Sequence, residues 1–182
     1  MGLYIGIGII VILLIYVFVT YNKLVSLKIR VDEAFSTMDV YLKKRWDLIP
    51  NIVETVKGYA EHEKSTLEAV VALRNGAYNN MSTENKLDVN NKLTDALSRL
   101  MLISENYPEL KANENFKNLS NELVKVEDEI ANARKYYNGT VRLMNNKVQM
   151  FPSNLVAKMF GYKNEKMFEA IAEERENVNI KL

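Results

Sequence analysis

Arg45 stands in the stretch KKRWDLIPNIVETVKGYAEHE, Lys43 to Glu63, with Asp39, Trp46 and Asp47 around it and the chain's single histidine, His62, near the far end. Arginine beside carboxylates can bind an anion or stabilise developing charge. Without a nucleophile, a partner histidine or a phosphate-cradling loop, such a group does not define a reaction. His62 lies between Glu61 and Glu63, which raises metal binding. The second histidine of the zinc-protease pattern is missing, and one imidazole is a poor start to a transition-metal site, so a solvated or hydrogen-bonded histidine is the expectation. Absence of cysteine removes thiolate nucleophiles, disulfides and cysteine-based metal sites. The run Lys43, Lys44, Arg45 spreads over roughly 200° of a helix and the formal net charge is +1, so no nucleic-acid partner is expected. No catalytic residue, cofactor, metal or small-molecule substrate follows from these residues.

The elements that hold them are helical. Seven glycines and three prolines against 26% charged residues favour long helices over a strand-rich fold with frequent turns. From Val31, apolar residues recur at alternating steps of four and three: Val31, Phe35, Met38, Leu42, then Ile49, Ile52, Val56, Tyr59, and later Val70 and Leu73. This is a coiled-coil-like seam, broken by Arg45, Glu63 and Thr66. The register passes Pro50 without a phase shift, so Tyr21 to about Asn75 reads as one helix bent near Asp47 to Pro50. Two helices divided at Ile49-Pro50 are the alternative, since an internal proline costs about 3 kcal/mol unless packing compensates. Gly58 reads as a point of close packing against another helix, and Asn75-Gly76 as the stop. Ser82 or Thr83 caps a second helix with Leu93, Leu97, Leu100 and Ser104 on one face, ended by Tyr107-Pro108. After the connection PELKAN, Asn113 caps a third long helix with the seam Phe116, Ser120, Leu123, Glu127, Ile130, Arg134, Tyr137, Val141, Met144, Val148. A short segment from Asn154 to Phe160 closes at Gly161. The tail from Tyr162 has few apolar residues and is expected to be loosely held.

The first twenty residues face a different solvent. No charged side chain occurs from Gly2 to Asn22, and Leu3 to Val19, LYIGIGIIVILLIYVFV, is almost wholly apolar. About 20 helical residues span the roughly 30 Å hydrocarbon layer. A cleaved signal peptide would need a basic start and a small-x-small cleavage site, and this segment has neither. It is read as a retained anchor through Leu3, Ile10, Leu14 and Val19. Lys23, Lys28 and Arg30 follow it, which by the positive-inside rule puts the N-terminus outside and the rest of the chain in the cytoplasm. Gly2 and Gly6 form one small-x-x-x-small pair that would let two anchors approach, although lipid packing explains it as well.

A charged residue on a helical seam is costly unless paired and hydrogen-bonded. Arg45, Glu127 and Arg134 are therefore expected to form a buried polar network, completed by Asp39 or Asp47, that sets helix register as polar layers do in some coiled coils. The methionines in the last third of the chain, among them Met144, Met150, Met159 and Met167, are either core or a deformable protein-binding surface.

Taken together, YNKLVSLKIRVDEAFSTMDVYLKKRWDLIPNIVETVKGYAEHE, YPELKANENFKNLSNELVKVEDEIANARKYYN and FPSNLVAKMFG resemble the LemA family, over about Tyr21 to Gly161. The resemblance implies a bacterial protein with one N-terminal span and a soluble helical bundle, with no general enzymatic activity to carry over. The expected architecture is all-α. A transmembrane anchor over 1–22 continues into an elongated antiparallel bundle of three long helices plus a short C-terminal helix over 23–161, followed by a tail over 162–182. The expected work is that of a membrane-anchored scaffold or interaction protein of the bacterial envelope, its partners the lipid bilayer and either another protein or a second copy. A regulator or enzyme using a polar cleft around Arg45 and Glu127 is the alternative.

Overall fold

The computed structural model describes residues 1–74 and 78–168. Among them there are six α-helices and no strand: α1 Gly2–Lys57, α2 Lys64–Leu73, α3 Thr83–Glu105, α4 Pro108–Ala112, α5 Glu114–Gln149 and α6 Ser153–Met159. The chain divides into two compact units. One is Met1–Thr37 with Ala133–Met167, and the other is Met38–Asn132 joined by Phe168.

α1 runs through Pro50 unbroken. Ile49 and Ile52 on either side are 1% and 0% exposed, and burying two such side chains stabilises by about 1.5–3 kcal/mol each, enough to offset the missing backbone bond. The helix ends at Lys57, earlier than the Asn75 expected, and the correction lies at Gly58. A Cβ built on Gly58 would meet only the Thr55 carbonyl oxygen at 3.6 Å, so no neighbouring helix packs closely there. Glycine's low helix propensity instead lets the chain leave the helix, with Ala60 donating back to the Val56 carbonyl at 2.9 Å. A 3-10 turn over Glu61–Glu63 then leads into α2, whose Leu67 and Val70 are buried. Tyr59, placed on the seam by periodicity, is 39% exposed because it follows the helix end. The Asn75-Gly76 stop lies outside the described residues.

Ser82 caps α3 by accepting from the Asn85 amide at 3.2 Å, and Asn113 caps α5 by accepting from the Phe116 amide at 3.0 Å. PELKAN, expected as a connection, contains the helical turn α4. Pro108 opens that turn where its missing N–H is not needed, and Leu110 is fully buried. α6 ends in a Schellman motif: Tyr162 donates to the Ala157 carbonyl at 2.9 Å and Gly161 to the Lys158 carbonyl at 3.3 Å. Gly161 holds φ at 76°, which a Cβ would disfavour.

The tail's first residues are tied down, contrary to expectation. In the first unit the Tyr137 hydroxyl donates to the Lys166 carbonyl at 2.8 Å. Asn145 both donates to the Glu165 carbonyl at 2.9 Å and accepts from its amide at 2.8 Å. Lys28 completes the strap with an ion pair to Glu165 at 2.8 Å. Burial and the Glu165 carboxylate push the Tyr137 phenol up to about 12 against the opposing Lys28 charge. Polar side chains of α5 thus capture a backbone that its own composition would leave free.

Candidate functional site

Arg45 is 0% exposed, and the second unit is built around it. The two turns of α1 on either side of it present Met38, Leu42, Ile49 and Ile52 on one face, all buried, so the guanidinium must enter the interior with them. Its Nη1 donates to Glu127 Oε1 at 2.8 Å and Oε2 at 3.1 Å, and to Thr94 Oγ1 at 2.7 Å. Nη2 donates to the Asn90 carbonyl at 2.8 Å and Asn90 Oδ1 at 2.6 Å. Thr94 in turn donates to the same Asn90 carbonyl at 3.1 Å, and Asn90 Nδ2 donates to the Lys86 carbonyl at 2.8 Å. The planar fork spans a carboxylate on α5 and two polar residues on α3, which a lysine's single ammonium cannot do.

Of the residues assigned to one polar network, Arg45 and Glu127 meet directly, while Asp39 and Asp47 bond elsewhere. Asp47 takes an i,i+4 pair with Lys43 on the surface. Asp39 accepts from the Tyr78 hydroxyl and from Lys86 Nζ, both at 2.7 Å. Helical geometry explains both departures: at 100° per residue Asp39 and Asp47 point roughly 120° and 160° away from Arg45. Arg134 is 8% exposed and belongs to the first unit. The Asp39 cluster is aromatic as well as ionic. Trp46 and Tyr78 meet tilted at 51° with centroids 5.2 Å apart, and Lys86 Nζ lies 4.6 Å from the Tyr78 ring centre.

Asn90, Thr94, Tyr78 and Lys86 were not anticipated. For Asn90 a signal existed, because Leu87, Asn90, Leu93 and Leu97 follow helical spacing on one buried face. Tyr78 carried none, since it lies within the polar connection AYNNMSTENK that leads into α3.

Burial, then the hydrogen bond to Asp39 and that carboxylate's charge, push the Tyr78 phenol well above its ordinary range, while Asn90 and Arg45 pull the other way. The unfolded chain releases this proton near pH 10 and the folded chain retains it. Stability contributed by the group is therefore complete below pH 10 and declines as pH rises above it, by about 1.4 kcal/mol per pH unit. Urea unfolding followed from pH 9 to 11 is expected to show this decline, and Tyr78→Phe to flatten it. An unchanged slope in the variant would clear Tyr78 as the source.

A groove of about 730 Å³ lies between α3 and α5, lined by Leu97, Met101, Leu102, Leu123 and Val124 with Glu105, Glu127 and Asp128 at its polar edge. Arg45 does not line it. Among the described residues no group of three histidine or carboxylate side chains is placed to hold a metal ion.

Among the described residues one helix, α1, is long and apolar enough to cross a membrane, and its apolar segment has no protein cover. Every side chain from Gly2 to Tyr16 is exposed, and protein packing begins at Thr20, which is buried.

Residues 34–182 match the LemA family. The chain is 25% identical over 159 residues to protein LemA of Metamycoplasma hominis, a match covering 87% of this chain and 73% of that protein. It is 33% identical over 75 residues to magnetosome protein MamQ 2 of Paramagnetospirillum magneticum, which covers 41% of this chain and 28% of the relative. Magnetosome protein MamQ of Magnetospirillum gryphiswaldense is 32% identical over 74 residues, with 41% and 27% covered. The chain thus spans under a third of the length of these magnetosome proteins.

Proposed function

The chain belongs to the LemA family, and from that premise we propose that it is a membrane-anchored helical scaffold whose work is to bind a protein partner or a second copy of itself. One observation supports this reading above the rest: α1 passes without interruption from an apolar segment with no protein cover into the packed interior. A run such as Leu3 to Ile15, exposed throughout, is unfavourable in water and at rest in hydrocarbon, where a helix also satisfies its own backbone. Leu3, Ile10, Leu14 and Val19 supply the lipid-facing surface. The Arg45 and Glu127 pair serves register, since a fork that reaches three partners on two helices is satisfied in one alignment only.

Lys23, Lys28 and Arg30 after the apolar run support an orientation with the folded part on the cytoplasmic side. The rule counts basic residues rather than net charge, so the ion pairs of Lys28 with Asp32 and Glu165 leave it intact.

Two measurements test the proposal. After carbonate extraction at high pH the full chain should stay with the membrane, and a chain lacking residues 2–20 should leave it. A cysteine at the exposed Lys117, in a chain with no native cysteine, should react with an impermeant maleimide only after cells are permeabilised. Extraction of the full chain would end the anchor reading, and labelling in intact cells would reverse the orientation.

A further inference from the structure

The turn before α6 and the outer face of α6 carry a second apolar surface. Met150 is 61% exposed, Phe151 78%, Leu155 61%, Met159 63% and Phe160 47%. The helix is amphipathic: Ser153, Val156 and Ala157 are buried against the first unit, while Leu155 and Met159, four residues apart, share the opposite face. Five large apolar side chains in eleven residues are too many for scattered surface exposure and need a cover.

Two features identify that cover. The first is position. The Tyr21 and Phe160 rings lie 4.6 Å apart at 48°, and Tyr21 follows the apolar run ending at Val19 by two residues, about 3 Å along the helix axis. The Phe160 end of the exposed face therefore stands level with the mouth of the span. The second is charge. No acidic residue occurs between Glu129 and Glu165, whereas Lys147, Lys158 and Lys163 flank the apolar face and are exposed, as is Lys23 on α1. A second copy presenting this face would set lysine against lysine. An anionic lipid surface complements it: apolar tips enter the acyl boundary, aromatic rings sit at headgroup depth and the ammonium groups meet phosphates.

We propose that α6 and the Met150-Phe151 turn form a lipid-contacting foot that seats the first unit on an anionic membrane surface beside α1. This rests on the membrane reading of α1, and the experiment separates the two. Single cysteines are placed at Ile10 in the span, Phe151 in the foot, Met159 as a second foot position should the first variant fail to fold, and Val40, which is 65% exposed. Each full-length chain is spin-labelled and reconstituted in vesicles of phosphatidylcholine with phosphatidylglycerol, and accessibility to oxygen and to a neutral nickel chelate is measured. Oxygen should outstrip the chelate at Ile10 and at the foot, with the order reversed at Val40. The preference at the foot should shrink in vesicles of phosphatidylcholine alone. A lipid-like Ile10 with a water-like foot overturns the foot and leaves the anchor standing. Exclusion of both reagents at the foot overturns it in favour of a protein cover, and a water-like Ile10 removes the anchor and the foot together.

Discussion

Replacing Arg45 with methionine lowers the stability of the protein by about 3 kcal/mol, and replacing Glu127 with leucine lowers it by about 4–5 kcal/mol, within the range for breaking an ion pair with a buried partner. The asymmetry follows from burial. Arg45 is 0% exposed and the Glu127 side chain 32%, so a Glu127 left alone is partly resolvated by water. An Arg45 left alone keeps its charge in the interior with only Thr94 and Asn90 as acceptors. The double variant Arg45→Met, Glu127→Leu is expected to be more stable than either single variant, because two apolar side chains of similar length replace both charges at once. Arg45→Lys gives up the fork across α3 and α5 and ranks between wild type and Arg45→Met. Thermal unfolding of the full chain in detergent reads the series: at about 2–4 °C per kcal/mol, Glu127→Leu loses on the order of 8–20 °C in Tm. A double variant as unstable as the sum of the singles would mean that the two residues do not act as a pair.

Arginine at both Ile10 and Leu14 removes the protein from the membrane. Each charge near the middle of a span costs about 2.5–3.5 kcal/mol on insertion, so the pair costs about 5–7 kcal/mol. Both positions are exposed, at 58% and 64%, and no packing within the protein is disturbed. Carbonate extraction should release the double variant while its thermal unfolding, read by circular dichroism, keeps the midpoint of a chain lacking residues 2–20. Arginine at Asn22, beyond the apolar run, should change neither. Retention of the double variant would show that these residues are not in hydrocarbon.

The two sets of substitutions probe features that differ in how far the sequence discloses them. The apolar run is contiguous, so its length and lack of charge are legible from composition alone. Arg45 is conspicuous because it interrupts a seam, and a seam position implies burial. Its carboxylate partner was within reach too, since Glu127 interrupts the seam of the third helix in the same way. The neutral acceptors were harder to read: Asn90 shares the helical spacing of Leu87, Leu93 and Leu97, but Thr94 does not, and only the packing of α3 beside α1 makes the two of them partners of Arg45. Asp39 and Asp47 look closer to Arg45 along the chain, but their helical angles turn them elsewhere, one to Tyr78 and Lys86 and the other to Lys43. The strap over residues 164–166 shows the same limit. Nothing in its own composition holds it, and side chains of α1 and α5 far away in sequence do.

By itself the sequence determined the all-α class, the approximate limits of α3 and α5, a cap at Ser82 or Thr83 and another at Asn113, the stop at Gly161, the apolar segment and the burial of Arg45. Each is a property of neighbours within about one turn or of a repeat along one helix, where hydrophobic spacing and backbone preference act directly. Tertiary structure decided the end of α1 at Lys57, the separate destinations of Asp39 and Asp47, the acceptors around the guanidinium and the placement of Phe160, at the end of α6, against Tyr21. Those are choices among several chemically adequate partners, and the distances that select one of them exist only once the helices have packed.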